Sequence, residues 1–349
     1  MRIGLVGFGV GGRLFHLPYI QAATEWTLAG VVTRSSERRA ELAQAAPGVE
    51  AFDSLDALID AGVDAVVITT PPATRRELVL RALERGVHVV ADKPFAPDAE
   101  TARELIAAAE AAGLTLTVFH NRRWDTDLVT LRSVLDSGRL GAIWRADFAL
   151  DQDDRSILDQ GPDEGLLRDL GAHVVDQLTQ LFGPVARVDA HLDWVGAIDG
   201  EGADAVDNRV DVGFALGLHH ANGVYSAVSS SKGARREDRR MIVFGREGHY
   251  ESHMSDVQTE QLLAGLRPDT DAGVWGIEQE ERWGTLSVGE GPIRIPSLRG
   301  DYSEFYRDLH RAIEAGEGPA VKLSEALHNV AILDAARESA VRGVRVDVA

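Results

Sequence analysis

The sequence contains no cysteine and is poor in positive charge. The absence of cysteine from the 349 residues excludes disulfide bonds, thiolate metal ligands and cysteine nucleophiles together. Lysine and arginine number 36 against 55 acidic residues, which gives a formal net charge of -19. Nucleic acids and anionic membranes are therefore disfavoured as partners, because both are bound through positive surface. An anionic cofactor is still compatible, since helix N-termini and a few local arginines can hold one.

Long hydrophobic runs are also lacking. No stretch approaches the roughly 18 apolar residues that would span a bilayer. The apolar residues after Arg2 are soon interrupted by glycines, and no clean cleavage pattern follows, so they do not predict a secretion signal. A hydrophobic fraction of 44% and a charged fraction of 26% are ordinary for a globular protein of two domains. We therefore expect a soluble, cytoplasmic protein.

The first third of the chain alternates between strand and helix signals. Short apolar, β-branched runs lie at residues 2–6, 27–33, 64–70 and 86–92. Between the last two runs, Thr74 and Glu77 form a capping-box pattern that predicts a helix ended by Gly86. Another helix is expected to begin after Asp98 and to end at Gly113. This alternation predicts an α/β domain with a doubly wound parallel sheet.

The pattern changes after about Asn121. "RVDVGFALGL" alternates apolar and other residues, and Asn222-Gly223 then predicts a hairpin turn into a second strand. Two helices, near 302–315 and 324–341, close the chain. We therefore expect a dinucleotide-binding Rossmann domain at residues 1–121 and an α+β domain with a mostly antiparallel sheet at residues 122–349.

Glycines crowd the turn after the first strand. Gly7, Gly9 and Gly12 fit the pattern G-x-G-x-x-G between a strand and a helix, where a dinucleotide pyrophosphate approaches the backbone. Thr70, at the end of the run 64–70, is a further candidate contact for the cofactor. The alternative is a tight turn that binds no ligand.

The residues after the second strand bear on the choice of dinucleotide. An NAD enzyme usually carries an Asp or Glu there for the ribose 2′-hydroxyl. This chain has Arg34 and Ser35, which suit a 2′-phosphate, and Arg38 is close enough in sequence to assist. The pattern favours NADP. In the alternative, Arg34 is an ordinary exposed arginine and Glu37 serves NAD.

Two further places carry groups suited to acid–base chemistry. Lys93 follows the fourth strand, at the edge where doubly wound folds bind ligands, and Pro94 keeps it out of helical geometry. Asp169 and His173 are four residues apart and share one helix face, which Asp176 continues. The alternatives are a surface lysine and a solvated polar helix face. A zinc site is disfavoured because cysteine is absent and the histidines form no recognisable ligand pattern.

Several motifs in order resemble a known family. The glycine pattern, "DKP" at 92–94 and the D-x-x-x-H helix together resemble the Gfo/Idh/MocA oxidoreductases over essentially the whole chain. "FHLP", "HNRRWDTD", "DLGAHVVDQLTQLFG" and "DYSEFYRDLHRAI" are similar to the branch that contains NADP-dependent scyllo-inositol dehydrogenases. The resemblance implies a Rossmann domain followed by a domain with an open-faced sheet that commonly forms homodimers.

The resemblance also implies roles for individual residues. Lys93 would hydrogen-bond the substrate hydroxyl beside the cofactor, His173 would be the general base, and Asp169 would bind and orient the substrate. The implied reaction moves a hydride between NADP and a ring hydroxyl or ketone of an inositol or monosaccharide, with no metal. Two positions depart from the family pattern, because Asp92 stands for the usual Glu and Arg75 for a frequent His.

An acidic stretch at residues 151–164 precedes the D-x-x-x-H helix, where the inositol branch more often has a loop with Arg and Trp. If it frames the pocket, it favours a neutral polyol or a cationic amino sugar over a sugar phosphate; alternatively it is a solvated loop. Two other functions occur on this kind of chain. One is a glycoside hydrolase that uses NAD for transient oxidation and elimination, and the other is a non-enzymatic regulator that responds to dinucleotides.

Overall fold

A computed structural model describes residues 1–154, 165–195, 210–289 and 291–349. The chain forms two compact units, and each contains more than one stretch of sequence. The first unit comprises residues 1–124, 259–275 and 301–327, and the second comprises 125–258, 276–300 and 328–349. The division into domains 1–121 and 122–349 stays a prediction.

The first unit is built on a six-stranded parallel sheet. Its strands are β1 (Arg2–Val6), β2 (Thr27–Val32), β3 (Ala51–Phe52), β4 (Ala65–Ile68), β5 (His88–Ala91) and β6 (Leu116–Val118). They lie in the order β3-β2-β1-β4-β5-β6, and all pairs are parallel. Strand order reverses between β1 and β4, so the predicted doubly wound sheet is confirmed. β4 is buried along its whole length, as expected for a strand covered on both faces.

Helices connect these strands. They are α1 (Leu17–Ala22), α2 (Ser36–Ala45), α3 (Leu55–Asp60), α4 (Pro72–Glu84) and α5 (Ala99–Ala112), and a π-helical segment at Gly11–His16 precedes α1. Asp98 caps α5 and Gly113 ends it in left-handed geometry, as predicted. The capping box at Thr74 is wrong. Pro72 occupies the first turn of α4, where a missing N–H is tolerated, so the helix begins before Thr74.

Two later segments pack onto the first unit through aromatic side chains. Residues 259–275 and helix α9 (Ser303–Ala315) belong to this unit although they come late in the sequence. The Tyr19 ring of α1 lies 5.2 Å from the Tyr302 ring and 6.0 Å from the Trp275 ring. Aromatic pairs at such distances add to the stabilisation from burial. The first unit is therefore completed by sequence from the far end of the chain.

The second unit is built on a mostly antiparallel sheet. In the part of the chain that the structure describes, it has nine strands: β7 (Ile143–Asp151), β8 (Val185–Val195), β9 (Val210–His220), β10 (Tyr225–Ser231), β11 (Asp238–Gly245), β12 (Gly248–Ser252), β13 (Thr285–Val288), β14 (Gly291–Arg294) and β15 (Val346–Asp347). Their order is β14-β13-β12-β11-β7-β10-β9-β8-β15, and only the β7–β10 pair among them is parallel. The hairpin at Asn222-Gly223 joins β9 to β10, which confirms the predicted α+β class.

Helices and sheet of the second unit share one apolar core. The helices are α6 (Thr126–Asp136) and α7 (Ala172–Phe182), together with α8 (Val257–Leu263) and α10 (Leu323–Arg342), which each run across a unit boundary. A second π-helical segment, Leu167–Gly171, leads into α7. Val174 and Leu178 of α7 pack with Phe214 and Leu218 of β9 in this core. No helix of the described residues is long and apolar enough to span a bilayer. Residues 155–164 of the acidic stretch lie outside the described ranges.

Candidate active site

The ends of four parallel strands lie level at one edge of the first unit's sheet. Val6 at the end of β1 pairs with Val32 of β2 and Ile68 of β4, and Ile68 pairs with Ala91 of β5. The residues that follow these strands therefore emerge side by side at the carboxyl edge. They are the glycine turn, Arg34 and Ser35, Thr70, and Lys93.

The glycine turn has the geometry that a dinucleotide requires. Gly7 has φ +101°, in the region that favours glycine, and a Cβ on Gly12 would lie 2.4 Å from the Gly7 carbonyl oxygen. A Cβ on Gly9 would meet no atom within 4 Å, so open space lies over the middle of the turn. Gly7 and Gly12 thus allow the tight turn and the close packing. Gly9 leaves room for a phosphate to approach the backbone.

Threonines at the end of β4 support this turn from the neighbouring strand. The Thr69 hydroxyl lies 3.1 Å from the Gly7 carbonyl oxygen and bonds to it. The Thr70 carbonyl accepts a hydrogen bond of 3.0 Å from Nη2 of Arg75. Thr70 therefore stands beside the glycine turn at the point where strand order reverses, which is where doubly wound sheets bind ligands.

The residues directly after β2 are basic or polar. Arg34 is exposed and donates from Nε to the Asp53 carbonyl at 3.3 Å. Ser35 caps α2, because its Oγ accepts the Arg38 N–H at 3.3 Å. Nη1 of Arg38 in turn lies 3.0 Å from a Glu41 carboxylate oxygen. The edge beside β2 therefore presents Arg34 and the N-terminus of α2, both of which suit an anion.

The turn that carries Lys93 is fixed by main-chain hydrogen bonds. The Lys93 N–H donates to Oδ1 of Asp92 at 2.7 Å, and the following Lys93–Pro94 peptide is cis. Arg75, a buried side chain of α4, donates to the Pro94 carbonyl as well as to Thr70. Arg75 thus links the turn after β4 to the turn after β5, and the half-buried Lys93 lies between these anchors.

Sequence reasoning missed a buried histidine behind Asp92. His16, at the end of the first π-helical segment, has Nε2 3.4 Å from Oδ2 of Asp92 and Nδ1 2.5 Å from the Tyr306 hydroxyl. Burial raises the pKa of Asp92, but the contact with His16 and the charges of Arg75 and Lys93 outweigh it, and the pKa falls to about 2. His16 lies within the "FHLP" motif, which indicated the residue but not its contacts with Asp92 and Tyr306.

The row Asp92, His16, Tyr306 has the order of a hydrolase triad, but its last hydroxyl cannot act as a nucleophile. Tyr306 is fully buried, and burial raises its pKa well above the ordinary value, with the Asp92 charge adding to the shift. The contacts of Asp92 with His16 and of His16 with Tyr306 therefore support the buried side of the turn that carries Lys93, and the Asp92 carboxylate stays ionised there.

Asp169 and His173 lie in the second unit. Asp169 is on the π-helical segment and is half-buried, whereas His173 is on the first turn of α7 and 8% exposed. Asp176, which continues the same face, is 2% exposed. The interpretation of this face as solvated is therefore wrong, because α7 is enclosed on nearly all sides. No group of three His, Asp or Glu side chains suited to a metal occurs among the described residues.

A parallel sheet with a glycine turn at its switch point defines a dinucleotide-binding protein. The profile of the "Oxidoreductase family, NAD-binding Rossmann fold" matches residues 1–120, and that of the family's "C-terminal alpha/beta domain" matches residues 132–348. The chain therefore belongs to the Gfo/Idh/MocA oxidoreductase family and has its NAD(P)-binding domain, which confirms the resemblance.

Individual relatives match over almost the full length. The chain is 28% identical to the scyllo-inositol 2-dehydrogenase (NADP(+)) IolW of Bacillus subtilis, over 97% of this chain and 93% of that protein. It is 32% identical to the oxidoreductase YdgJ of Escherichia coli, over 97% and 96% of the two chains. The solved structure of Bacillus subtilis yvaA superposes with a TM-score of 0.89 at 26% identity, covering 100% of this chain and 98% of that one.

The low pKa of Asp92 predicts a pH-dependent contribution to stability. The Asp92 carboxyl has a pKa of about 2 in the folded chain, against an ordinary value of 3.8, so its charged form stabilises the fold above pH 4 by about 2 kcal/mol. This contribution is lost as the pH falls through the folded pKa. Asp92→Asn should therefore lower the free energy of unfolding at pH 7. At pH 3 the difference in free energy of unfolding between the variant and wild type should be about half of the difference at pH 7. Urea unfolding measures both.

Asp53→Asn is the matched control, because the Asp53 carboxylate is 85% exposed and pairs only at the surface with Arg39. We expect that substitution to change the free energy of unfolding by less than about 0.5 kcal/mol. A gap between Asp92→Asn and wild type that is equal at pH 7 and pH 3 would contradict the electrostatic account of Asp92.

Proposed function

We propose that this chain is an NADP-dependent dehydrogenase that transfers a hydride between NADP and a ring hydroxyl or ketone of an inositol or monosaccharide. The observation that carries the proposal is the carboxyl edge of the first unit's sheet. There the open glycine turn, Thr70, Arg34 and Lys93 emerge from neighbouring strands at one level. The sequence likeness to a dehydrogenase named for scyllo-inositol and NADP supports the same function.

The cofactor is assigned from the residues that would hold it. Gly7, Gly9 and Gly12 would bind the pyrophosphate, and Thr70 would line the same turn. Arg34 and Ser35 would bind a 2′-phosphate, because a guanidinium and a hydroxyl at the N-terminus of α2 both favour an anion. A carboxylate at this position would repel that phosphate, and the chain has none at residues 33–36. We therefore assign NADP rather than NAD.

The chemistry is assigned to three side chains. When bound, NADP supplies the hydride acceptor for oxidation of a secondary alcohol. His173 takes the hydroxyl proton as general base, which suits histidine because its ordinary pKa is near neutrality. Lys93 hydrogen-bonds the same hydroxyl, and its cation favours the alkoxide as it forms. Asp169 binds the substrate and orients it.

The assembly is assigned from the second unit's sheet. Its outer face carries a trough of about 540 Å³, lined among others by Arg145, Asp147, His191 and Tyr225. An open sheet face that mixes charged and aromatic side chains is suited to a protein interface. We assign this face to a second copy of the chain, as the resemblance implies.

The general base is tested by His173→Ala. The variant should still bind NADPH, followed by its fluorescence, but lose about 10²- to 10⁴-fold in turnover, because proton removal then lacks a positioned base. Turnover is followed at 340 nm with NADP or NAD against a panel of inositols, aldoses and ketoses. His220→Asn is the matched control, since His220 is a buried histidine of the same unit whose ring nitrogens lie within hydrogen-bond distance of the Gly183 carbonyl and the Ser226 hydroxyl.

Unchanged turnover in His173→Ala rules out the assigned base. Cleavage of a glycoside without net cofactor reduction, or cofactor binding with no turnover of any substrate, would replace the proposal with the hydrolase or the regulator.

The cofactor assignment is tested by Arg34→Asp. Loss of the guanidinium and gain of a carboxylate should shift the ratio of kcat/KM for NADP over NAD towards NAD by at least about tenfold. Arg76→Asp is the control, because Arg76 is an exposed arginine of α4 that pairs with Glu104 instead. An unchanged ratio in Arg34→Asp discredits the 2′-phosphate site.

The assembly is tested by Tyr225→Glu. A carboxylate that is buried in an interface is costly to remove from water, so this variant should sediment as a single chain where wild type sediments at twice that mass. Leu263→Glu is the control, since Leu263 is 73% exposed and lies in the first unit. Wild type that sediments as one chain, or a Tyr225→Glu variant that keeps the double mass, would refute the assigned face.

A further inference from the structure

The segment that carries Asp169 departs from ordinary helix. Residues Leu167–Gly171 are π-helical and continue directly into α7, where His173 is the second residue. π-helical turns are rare in proteins, and those that occur are frequently found at functional sites. The first N–H groups of such a segment have no acceptor within the helix, so they need partners from elsewhere. The start of the segment at Leu167 therefore depends on groups from other elements.

A buried carboxylate holds the first end of this segment. Oδ2 of Asp211, near the start of β9, accepts the Leu167 N–H at 2.6 Å. Gly165 has φ +113°, and a Cβ there would lie only 2.3 Å from Oδ1 of Asp211, so the chain enters the segment directly against this carboxylate. The Gly165 carbonyl in turn accepts the Asp169 N–H at 2.9 Å. Asp211 therefore lies against Gly165, and the carbonyl of Gly165 binds the main chain of Asp169.

A buried amide holds the other end. Asn329 of α10 is 2% exposed, and its Nδ2 donates to the Ala172 carbonyl at 2.9 Å. Ala172 is the junction between the π-helical segment and α7, and it immediately precedes His173. A buried amide donor that pairs with a main-chain carbonyl restrains that carbonyl, because breaking the pair leaves the amide N–H unsatisfied.

One helix supports both ends. Nη1 of Arg337 lies 3.4 Å from Oδ1 of Asp211, and Arg337 also packs over the Trp194 ring, 5.3 Å from its centroid. Arg337 is eight residues after Asn329, which places both on nearly the same side of α10. Burial raises the pKa of Asp211, while the Leu167 N–H and the charges of Arg337 and Arg168 oppose that shift.

We propose that Asp211 and Asn329 are positioning residues that hold the Leu167–Gly171 segment at both ends, and thereby fix Asp169 and His173 for the reaction. The proposal rests on the proposed function, in which those two side chains bind substrate and remove its proton. Neither Asp211 nor Asn329 is near Asp169 in sequence. Their effect is expected on the turnover step, because a catalytic group displaced by about 1 Å can lose about 10²-fold in rate.

The test compares Asn329→Ala with Ser339→Ala. Ser339 is also 2% exposed on α10, and its hydroxyl bonds to the Ala190 N–H and the Val344 carbonyl, away from the segment. Both substitutions remove a buried polar contact from the same helix. With scyllo-inositol and NADP as probes, Asn329→Ala should lower kcat by about 10- to 100-fold and leave NADPH binding unchanged. Ser339→Ala should keep the wild-type kcat.

A second pair of variants keeps the test decisive if Asn329→Ala does not fold. Asp211→Asn retains an oxygen acceptor for the Leu167 N–H, whereas Asp211→Ala removes it. We expect Asp211→Asn to keep most of the turnover that Asp211→Ala loses. In hydrogen exchange measured by mass spectrometry, peptides covering residues 166–175 should exchange faster in Asn329→Ala and Asp211→Ala than in wild type or Ser339→Ala.

Wild-type kcat in Asn329→Ala, or an equal loss in Ser339→Ala, would overturn the positioning role. His173→Ala in the same assay separates this from the proposed function. If His173→Ala keeps its turnover, or wild type turns over neither scyllo-inositol nor any other member of the panel, the proposed function fails. The hydrogen exchange of residues 166–175 alone then decides whether the two side chains hold the segment. If His173→Ala loses turnover and the Asn329 and Asp211 variants do not, only the positioning proposal fails.

Discussion

The first unit depends on the register of four neighbouring parallel strands. Because β1 ends level with β2 and β4, and β4 ends level with β5, the pairing of the strands brings the residues that follow them to one edge. Main-chain pairing thus does most of the placement. Side chains refine it: Thr69 bonds the glycine turn, and Arg75 ties the turns after β4 and β5 together. Site residues of this unit are separated by up to 86 residues in sequence but belong to one edge.

The second unit positions its proposed site residues in a different way. Asp169 lies on a π-helical segment that leads directly into α7, where His173 is the second residue. The fixed points come from a strand and a helix that are distant in sequence, through Asp211 and Asn329. Both units therefore place proposed catalytic groups by bonding their main chain.

Much of the fold was predictable because it depends on local sequence patterns. Alternating apolar runs, the cap at Asp98 and the glycine turn each need only a few neighbouring residues to be recognised. Thr74 shows the limit of such patterns, since a proline two residues earlier provided an earlier start for α4. The contact of His16 with Tyr306 and that of Asn329 with Ala172 were not predictable. Each joins residues more than 150 positions apart, and a single buried polar residue gives no periodic signal that would reveal its partner.

The same limit applies to the site. Lys93, Asp169 and His173 were selected by motif and resemblance, whereas their supporting residues emerged only from the structure. The central claim is that the chain moves a hydride from a ring carbon to NADP, and isotope transfer tests it most directly. Scyllo-inositol deuterated at every ring carbon is incubated with the protein and NADP, and the reduced cofactor is analysed by mass spectrometry. The account predicts NADPH that carries one deuterium on the nicotinamide ring. Unlabelled NADPH, or no reduced cofactor from any deuterated inositol or sugar of the panel, would contradict it.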